Sequence, residues 1–258
     1  METVNRILQE KITARIAPNK AVLIFGARRV GKTVMMRKIV DNYSGRTMML
    51  NGEDYDTLAL LENRSIANYR HLLDGIDLLA IDEAQNIPQI GSILKLIVDE
   101  IPGISVLASG SSSFDLLNKT GEPLVGRSTQ FLLTPFSQRE IAQTETALET
   151  RQNLEARLIY GSYPEVVMME NYERKTDYLR DIVGAYLLKD ILAIDGLKNS
   201  SKMRDLLRLI AFQLGSEVSY DELGKQLSMS KTTVEKYLDL LEKVFVIYRL
   251  GAYSRNLR

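Results

Sequence analysis

Eight consecutive residues near the N-terminus have the types and the spacing that wrapping a phosphate chain requires. Residues 26–33 read GARRVGKT and match the pattern G-x-x-x-x-G-K-[ST]. Gly26 and Gly31 let backbone N–H groups approach the phosphates, because neither residue carries a side chain. Lys32 would place a positive charge against the β- and γ-phosphates, and the Thr33 hydroxyl would bind Mg²⁺. The alternative interpretation is a glycine-rich turn that binds nothing.

The loop stands in the setting that phosphate binding needs. An apolar run precedes it, and a helix expected to begin near Val30 follows it, with the positive end of its dipole toward the phosphates. The residues predicted to contact the nucleotide are Gly26, Ala27, Arg28, Arg29, Val30, Gly31, Lys32, Thr33 and Val34.

Two adjacent acids end a second apolar run further along the chain. Residues 78–83 read LLAIDE. A buried strand that ends in Asp82 would deliver a carboxylate to Mg²⁺ beside the phosphates. Glu83 would then orient and deprotonate the attacking water, as a general base. The alternative is a core strand that ends in a polar turn. Together with the loop, the acids predict ATP and Mg²⁺ as the ligands, although GTP stays open as the nucleotide.

Short apolar runs alternate with helical patterns over the first half of the chain. Such runs are typical of strands buried on both faces, and their alternation with helices predicts an α/β fold with a parallel sheet. One helix is expected over 2–15 and another over 90–101. The predicted strands are 21–25, 47–51, 77–82, 105–109 and 129–133.

These motifs together resemble a prokaryotic AAA-type ATPase family whose members carry a C-terminal domain of unknown function. The resemblance implies a P-loop NTPase sheet of strand order 5-1-4-3-2, a helical lid, a winged helix, and slow or regulated ATP hydrolysis. It covers roughly residues 21–257 and rests on five segments: LIFGARRVGKT, LLAIDEAQ, VLASGSSSF, LVGRSTQFLLTPFSQRE and YGSYPEVV.

Two further catalytic residues come from this resemblance alone. Ser109, at the end of the fourth predicted strand, is similar to a sensor residue that contacts the γ-phosphate or the lytic water. Ser111 is the alternative sensor, and a simple Ser/Gly turn is the structural alternative. Arg127 falls where such ATPases place an arginine finger, which often acts on a neighbouring subunit's nucleotide and so implies a homo-oligomer. Its structural alternative is a solvated arginine.

The domain organisation is predicted from the change in periodicity after Pro135. We expect a nucleotide-binding domain over 1–136, a helical lid over 137–199 and a winged helix over 200–258. A Lys189–Asp190 pair is expected on the lid's last helix. Proteins that resemble this chain continue by more than a hundred residues, so the chain is expected to be short at its C-terminus.

The C-terminal segment is predicted to form three helices followed by a β-wing at 245–250. Ser219 and Ser230 are the expected N-caps of the last two helices. The exposed face of the third helix would offer Lys231, Thr232, Thr233 and Lys236 to duplex DNA. Because lysine and threonine read bases poorly, a structural or protein-contact role is preferred to direct DNA binding. A nucleotide-dependent DNA-binding switch with negligible turnover is therefore the alternative function.

The composition excludes several classes of site. The chain has no cysteine and a single histidine, His71, so disulfides, thiolate metal sites and histidine clusters are ruled out. Lys plus Arg and Asp plus Glu both number 33, which argues against a polybasic protein. The sequence contains no apolar run of about 18 residues and no signal-peptide pattern, so we expect a cytoplasmic protein.

Overall fold

The computed structural model describes residues 4–111, 124–187 and 200–251. Contacts between residues divide the chain into two compact units, unit 1 (Met1–Leu179) and unit 2 (Arg180–Arg258). The predicted domain boundaries at residues 136 and 199 remain predictions, and the predicted Lys189–Asp190 pair lies outside the described residues. None of the described helices is both long enough and apolar enough to cross a bilayer.

Unit 1 is built on a parallel sheet of five strands in the order β2-β3-β4-β1-β5. This is the order that the family resemblance implies, counted from the opposite edge. Each observed strand begins and ends within one residue of its predicted span. The strands are β1 (Lys20–Phe25), β2 (Thr47–Asn51), β3 (Leu78–Asp82), β4 (Ser105–Gly110) and β5 (Ser128–Leu132).

Helices connect the strands and continue after them. The first is shorter than predicted, because Arg6 has extended backbone angles and stands as the N-cap of a helix that begins at Ile7. The helices are α1 (Ile7–Thr13), α2 (Lys32–Asp41), α3 (Tyr55–Glu62), α4 (Ile66–Leu72), α5 (Ile90–Glu100), α6 (Gln138–Ile141), α7 (Ala147–Gln152), α8 (Leu154–Tyr160), α9 (Pro164–Met168) and α10 (Tyr172–Asp181).

The sheet is covered by apolar side chains on both faces. Successive residues of a strand point to opposite faces, so Val22 and Ile24 join one cluster while Ala21 and Leu23 join the other. Residues of α1 and α2 complete the first cluster, and residues of α3, α4 and α5 complete the second. This burial fixes β1 between β4 and β5 in the interior of the sheet, and so fixes the point where the phosphate loop begins.

Unit 2 contains a short π-helix (Ile182–Leu187) and, in its C-terminal part, three described α-helices around their own apolar cluster. They are α11 (Ser200–Ala211), α12 (Tyr220–Leu227) and α13 (Lys231–Lys243). Ser219 and Ser230 are the N-caps of α12 and α13, as predicted. The predicted buried face of α13 is confirmed by the burial of Val234, Tyr237, Leu238 and Leu241.

The prediction of a β-wing at 245–250 is wrong for the described residues. This segment forms a turn and then an irregular stretch. A strand needs a neighbour to satisfy its backbone N–H and C=O groups, and the described part of unit 2 contains no other strand. Within residues 200–251, the three predicted helices are therefore present, and the predicted strand at 245–250 is not.

Candidate functional site

The predicted phosphate loop connects β1 to α2 at the carboxyl end of the sheet. A side chain at residue 26 has no room, because a Cβ on Gly26 would lie 2.1 Å from the carbonyl oxygen of Leu133. Gly31 is the N-cap of α2 and has a φ of 94°, a conformation that favours glycine. Arg29 also has a positive φ, of 64°. The motif thus requires glycine at both positions because the loop follows a tight path there.

Lys32 is the first residue of α2, and its side chain folds back over the loop. Its Nζ donates to the carbonyl oxygens of Gly26 and Ala27, at 2.9 Å each. The residue is only 4% exposed. The positive end of a helix dipole disfavours a cation, so these carbonyl contacts are what keeps the ammonium group at this place. Val34, in the first turn of the same helix, is exposed.

Thr33 and Asp82 are brought together from the two motifs. The Thr33 hydroxyl donates to Oδ2 of Asp82 over 2.6 Å. The other carboxylate oxygen of Asp82 accepts from the Ser109 hydroxyl at short range and from the Glu83 N–H at 3.1 Å. Asp82 and Ser109 are both buried. Because β1, β3 and β4 are parallel, their carboxyl ends meet at one edge of the sheet, and this edge holds the three side chains.

These oxygen atoms fit a magnesium ion. A carboxylate and a hydroxyl are the hard oxygen ligands that Mg²⁺ prefers, and the ion is commonly held by one or two protein groups, several waters and the substrate phosphates. In the described parts of the chain, no group of three or more histidines, cysteines or acids forms a dedicated metal cage. The donor set therefore suits an ion that arrives with a phosphate ligand.

Glu83 directly follows β3 and has a φ of 48°, which is uncommon for a residue with a side chain. The turn that this conformation makes separates its side chain from the strand. The Gln85 amide donates to one carboxylate oxygen of Glu83 and accepts from the Ser111 N–H at 3.2 Å. Gln85 thus ties the predicted base to the end of β4, a role that the sequence patterns did not indicate.

Arg127 lies far from this edge within its own chain. Its backbone carbonyl accepts from the Ala21 N–H, which places it at the amino end of β1 and β5. The phosphate loop follows the opposite, carboxyl end of β1, about 16 Å away for five residues at roughly 3.3 Å each. The Arg127 side chain pairs with Asp99 and is 41% exposed. The structure therefore separates Arg127 from the other predicted catalytic residues of the same chain.

The segment around α9 contacts the phosphate loop. Pro164 lies 3.9 Å from a Cβ placed on Gly31, and Arg29 forms an ion pair with Glu165 at 3.7 Å. Tyr163 packs against the apolar cluster that contains Val30. Burial and the neighbouring Glu165 carboxylate raise the pKa of Tyr178 on α10. These contacts bring part of the predicted lid against the loop.

The predicted DNA-contacting face of α13 carries engaged side chains. Lys231 pairs with Asp221 at 3.5 Å, and the Thr233 hydroxyl lies 2.7 Å from the capping hydroxyl of Ser230. Lys231, Thr232 and Lys236 are exposed. The face is accessible, but its first lysine is partly neutralised by an acid of the preceding helix.

Two protein families match separate parts of the chain. Residues 18–142 match an AAA domain, and residues 151–258 match a domain of unknown function. This is an AAA-domain protein with a C-terminal domain of unknown function. The AAA domain contains the whole parallel sheet, the phosphate loop, and the two predicted site acids Asp82 and Glu83. The domain of unknown function includes α8 to α13.

Curated relatives extend beyond this chain. An uncharacterized protein of Methanocaldococcus jannaschii is 20% identical over 268 residues, which cover 96% of this chain and 60% of the relative. An uncharacterized protein of Mycobacterium tuberculosis is 24% identical over 238 residues, with coverages of 92% and 51%. The chain thus spans between half and two thirds of the length of these relatives.

Similar solved structures include a RuvB variant and a signal transduction ATPase. A RuvB variant of Thermotoga maritima is 15% identical with a TM-score of 0.42, and the match covers 87% of this chain and 80% of that one. A signal transduction ATPase with numerous domains from Pyrococcus horikoshii is 13% identical with a TM-score of 0.43, with coverages of 93% and 39%.

Proposed function

We propose that this chain binds Mg·ATP and hydrolyses it by attack of a water molecule on the γ-phosphate. The 2.6 Å hydrogen bond between Thr33 and Asp82, beside the buried Lys32, is the observation that carries this proposal. It joins the predicted phosphate-binding and metal-binding motifs at one point. The match of residues 18–142 to an AAA domain supports the same function.

Each side chain at this edge has a proposed role. Lys32 binds the β- and γ-phosphates, while Thr33 and Asp82 hold Mg²⁺. When bound, the ion supplies charge that neutralises the phosphate oxygens. Ser109 orients the Asp82 carboxylate through its hydroxyl, and this anchoring can serve the predicted sensor role. Glu83 takes a proton from the attacking water, and Gln85 holds the carboxylate that does so.

Arg127 is proposed to act on the nucleotide of a neighbouring copy. Its place at the amino end of the sheet excludes a role at its own chain's loop, while its partial exposure leaves it accessible to a second molecule. An arginine that stabilises transition-state charge in trans would make hydrolysis depend on assembly. To reach the nucleotide, the guanidinium would have to exchange Asp99 for phosphate oxygens.

The contact between α9 and the loop supports a coupling of the nucleotide cycle to the predicted lid. Arg29 and Glu165 are both about half exposed, so their ion pair contributes little stability of its own. A weak contact of this kind can break and re-form during the cycle. We propose that nucleotide binding changes the Arg29–Glu165 distance.

Steady-state ATP hydrolysis, measured over a series of protein concentrations, tests the proposal. We expect turnover per molecule to rise with concentration. It should vanish in Lys32→Ala, through lost phosphate binding, and in Glu83→Gln, which should still bind ATP. An active Glu83→Gln variant would remove the assigned base, and turnover independent of concentration would remove the role in trans.

The alternative of a DNA-binding switch is not favoured by any contact in the described part of unit 2. Its strongest candidate residue, Lys231, already pairs with Asp221. Nucleotide-bound protein without turnover, together with salt-dependent duplex binding that changes with nucleotide, would reverse this preference.

A further inference from the structure

A buried arginine before the first helix contacts the phosphate loop from outside the motif. Arg6 donates from Nη2 to the carbonyl oxygen of Val30 at 3.0 Å, and the same nitrogen contacts the carbonyl oxygen of Thr134 at short range. Its Nη1 pairs with Glu140 at 3.2 Å. The ring of Phe136 lies 4.7 Å from the guanidinium carbon. One side chain thereby joins the N-terminal segment, the loop, the exit of β5 and the start of α6.

Glu140 holds this arginine while it organises the backbone on both sides. Its Oε1 accepts from the Ile7 N–H at 3.0 Å, and its Oε2 accepts from the Ser137 N–H at 2.8 Å. Both members of the pair are over 90% buried as side chains. Glu140 binds Nη1 of Arg6, while the carbonyl oxygens of Val30 and Thr134 bind Nη2. The guanidinium is therefore held in one orientation.

This arrangement constrains one N–H group of the phosphate loop. The Val30 carbonyl and the Gly31 N–H belong to the same peptide unit, and the described chain contains no cis peptide bond. In a trans peptide these two groups point in opposite directions. A guanidinium that holds the Val30 oxygen therefore turns the Gly31 N–H to the face of the loop away from Arg6. N–H groups at the start of such a helix are the donors to bound phosphate.

We propose that Arg6 is a positioning residue of the phosphate loop, which fixes the Gly31 N–H in the orientation that binds phosphate. The assignment rests on the proposed nucleotide function. A purely structural role explains the contacts less well, because a buried ion pair adds little net stability compared with apolar side chains of similar size. The Arg6 guanidinium donates to two backbone carbonyls and pairs with Glu140 at the same time, and no apolar side chain can make these contacts.

The test compares nucleotide affinity in two matched double variants of the full chain. Arg6→Met with Glu140→Gln removes the pair without leaving a buried charge unpaired. Arg157→Met with Glu145→Gln removes a second, largely buried pair of unit 1, whose side-chain hydrogen bonds go to residues 138–153 and not to the loop. Calorimetric titration with Mg·ADP and Mg·ATP gives the Kd at a temperature where circular dichroism shows every protein folded.

We expect the Arg6 double variant to raise both Kd values roughly tenfold, as the loss of one well-oriented donor to a charged phosphate implies. The Arg157 double variant should leave both Kd values unchanged while it lowers stability. In the absence of nucleotide, amide hydrogen exchange of residues 26–33 should become faster only in the Arg6 double variant. If that variant does not fold, Arg6→Lys, which lacks the fork, is judged by the same Kd criterion.

Two outcomes overturn the assignment and differ in what they imply. A wild-type chain that binds nucleotide, beside an Arg6 double variant that binds equally tightly, refutes the positioning role alone. A wild-type chain that binds neither nucleotide refutes the proposed function and the assignment with it. An equal rise of Kd in the Arg157 control would assign the effect to lost stability and would also overturn the positioning role.

Discussion

Unit 1 and unit 2 each place a lysine at the first position of a helix, and the two lysines have opposite surroundings. Lys32 begins α2, is 4% exposed and donates to two loop carbonyls. Lys231 begins α13, has a side chain that is 59% exposed and pairs with an acid. A cation at the positive end of a helix is unfavourable in both places. This difference is what we expect if Lys32 has the proposed phosphate-binding role and Lys231 is a solvated residue.

The largest effect that tests this contrast is expected from Gly26→Ala. Its new Cβ would meet the Leu133 carbonyl oxygen at 2.1 Å, so the loop and β5 must separate. We expect the free energy of unfolding to fall by about 3 kcal/mol, the upper range for overpacking, in urea denaturation of unit 1.

Gly103→Ala is the control for this change. Gly103 has a φ of 83°, but a methyl group added to it would have no atom within 4 Å. Strain alone should cost about 1 kcal/mol. Equal effects of the two substitutions would show that the loop is not tightly packed against β5, and the contrast between the two units would weaken.

The next effect concerns the Asp82 carboxylate, which accepts from Thr33, the residue after Lys32. Ser109→Ala removes the hydroxyl that holds Asp82. Loss of such an outer contact to a metal ligand typically lowers activity roughly 10–100-fold, and we expect this fall in kcat for ATP hydrolysis. Ser111→Ala should change kcat little, because its backbone N–H makes the described contact. A larger fall in Ser111→Ala would move the sensor role to that residue.

A smaller effect is expected at the N-cap beside Lys231. Ser230→Ala removes the oxygen that accepts from the Thr233 N–H at 3.1 Å. Loss of such a cap costs about 1 kcal/mol, which thermal unfolding of unit 2 should detect. Nucleotide affinity should stay unchanged, since the cap belongs to unit 2. A changed Kd for ATP would show that the helices of unit 2 affect the nucleotide site.

The smallest effect is expected from Lys231→Ala. The ion pair with Asp221 is well exposed, and such pairs contribute about 0–1 kcal/mol, less at high salt. Stability measured at low and high salt should therefore differ little from wild type. If this variant instead weakened duplex DNA binding and lowered its salt dependence by about one charge, Lys231 would be a binding residue and the contrast with Lys32 would fail.

The strands and both motifs could be predicted from sequence because their signals are local. A run of four apolar residues followed by Asp82 predicts a buried strand from adjacent residues alone. A loop with two glycines and Lys32 predicts a phosphate-binding turn in the same way. Even the place of Gln85 has a local signal, since it stands two residues after Glu83. The prediction of a β-wing failed because it depended on more than local signals. Residues 245–250 have strand-forming types, but a strand also needs a neighbour, and sequence propensity does not supply one.

The Arg6 contact could not be predicted because its cause is not local. Arg6 and Glu140 are 134 positions apart and meet only after the sheet has formed. Likewise, the distance of Arg127 from the phosphate loop follows from the direction of β1 and β5, which the family resemblance implied only as a strand order. Long-range partners and the orientation of backbone groups were the parts of the site that required coordinates.

The place of β1 between β4 and β5 has a consequence for how the protein is made. β1 ends at Phe25, yet its two neighbours are β4, which begins at Ser105, and β5, which ends at Leu132. A chain synthesised from its N-terminus thus carries the apolar strand β1 without either neighbour until residue 105 has been added. Pairings of this sequence separation form slowly and leave the strand open to aggregation. The close approach of Gly26 to the Leu133 carbonyl oxygen waits for residue 133, and the Arg6–Glu140 contact waits for residue 140.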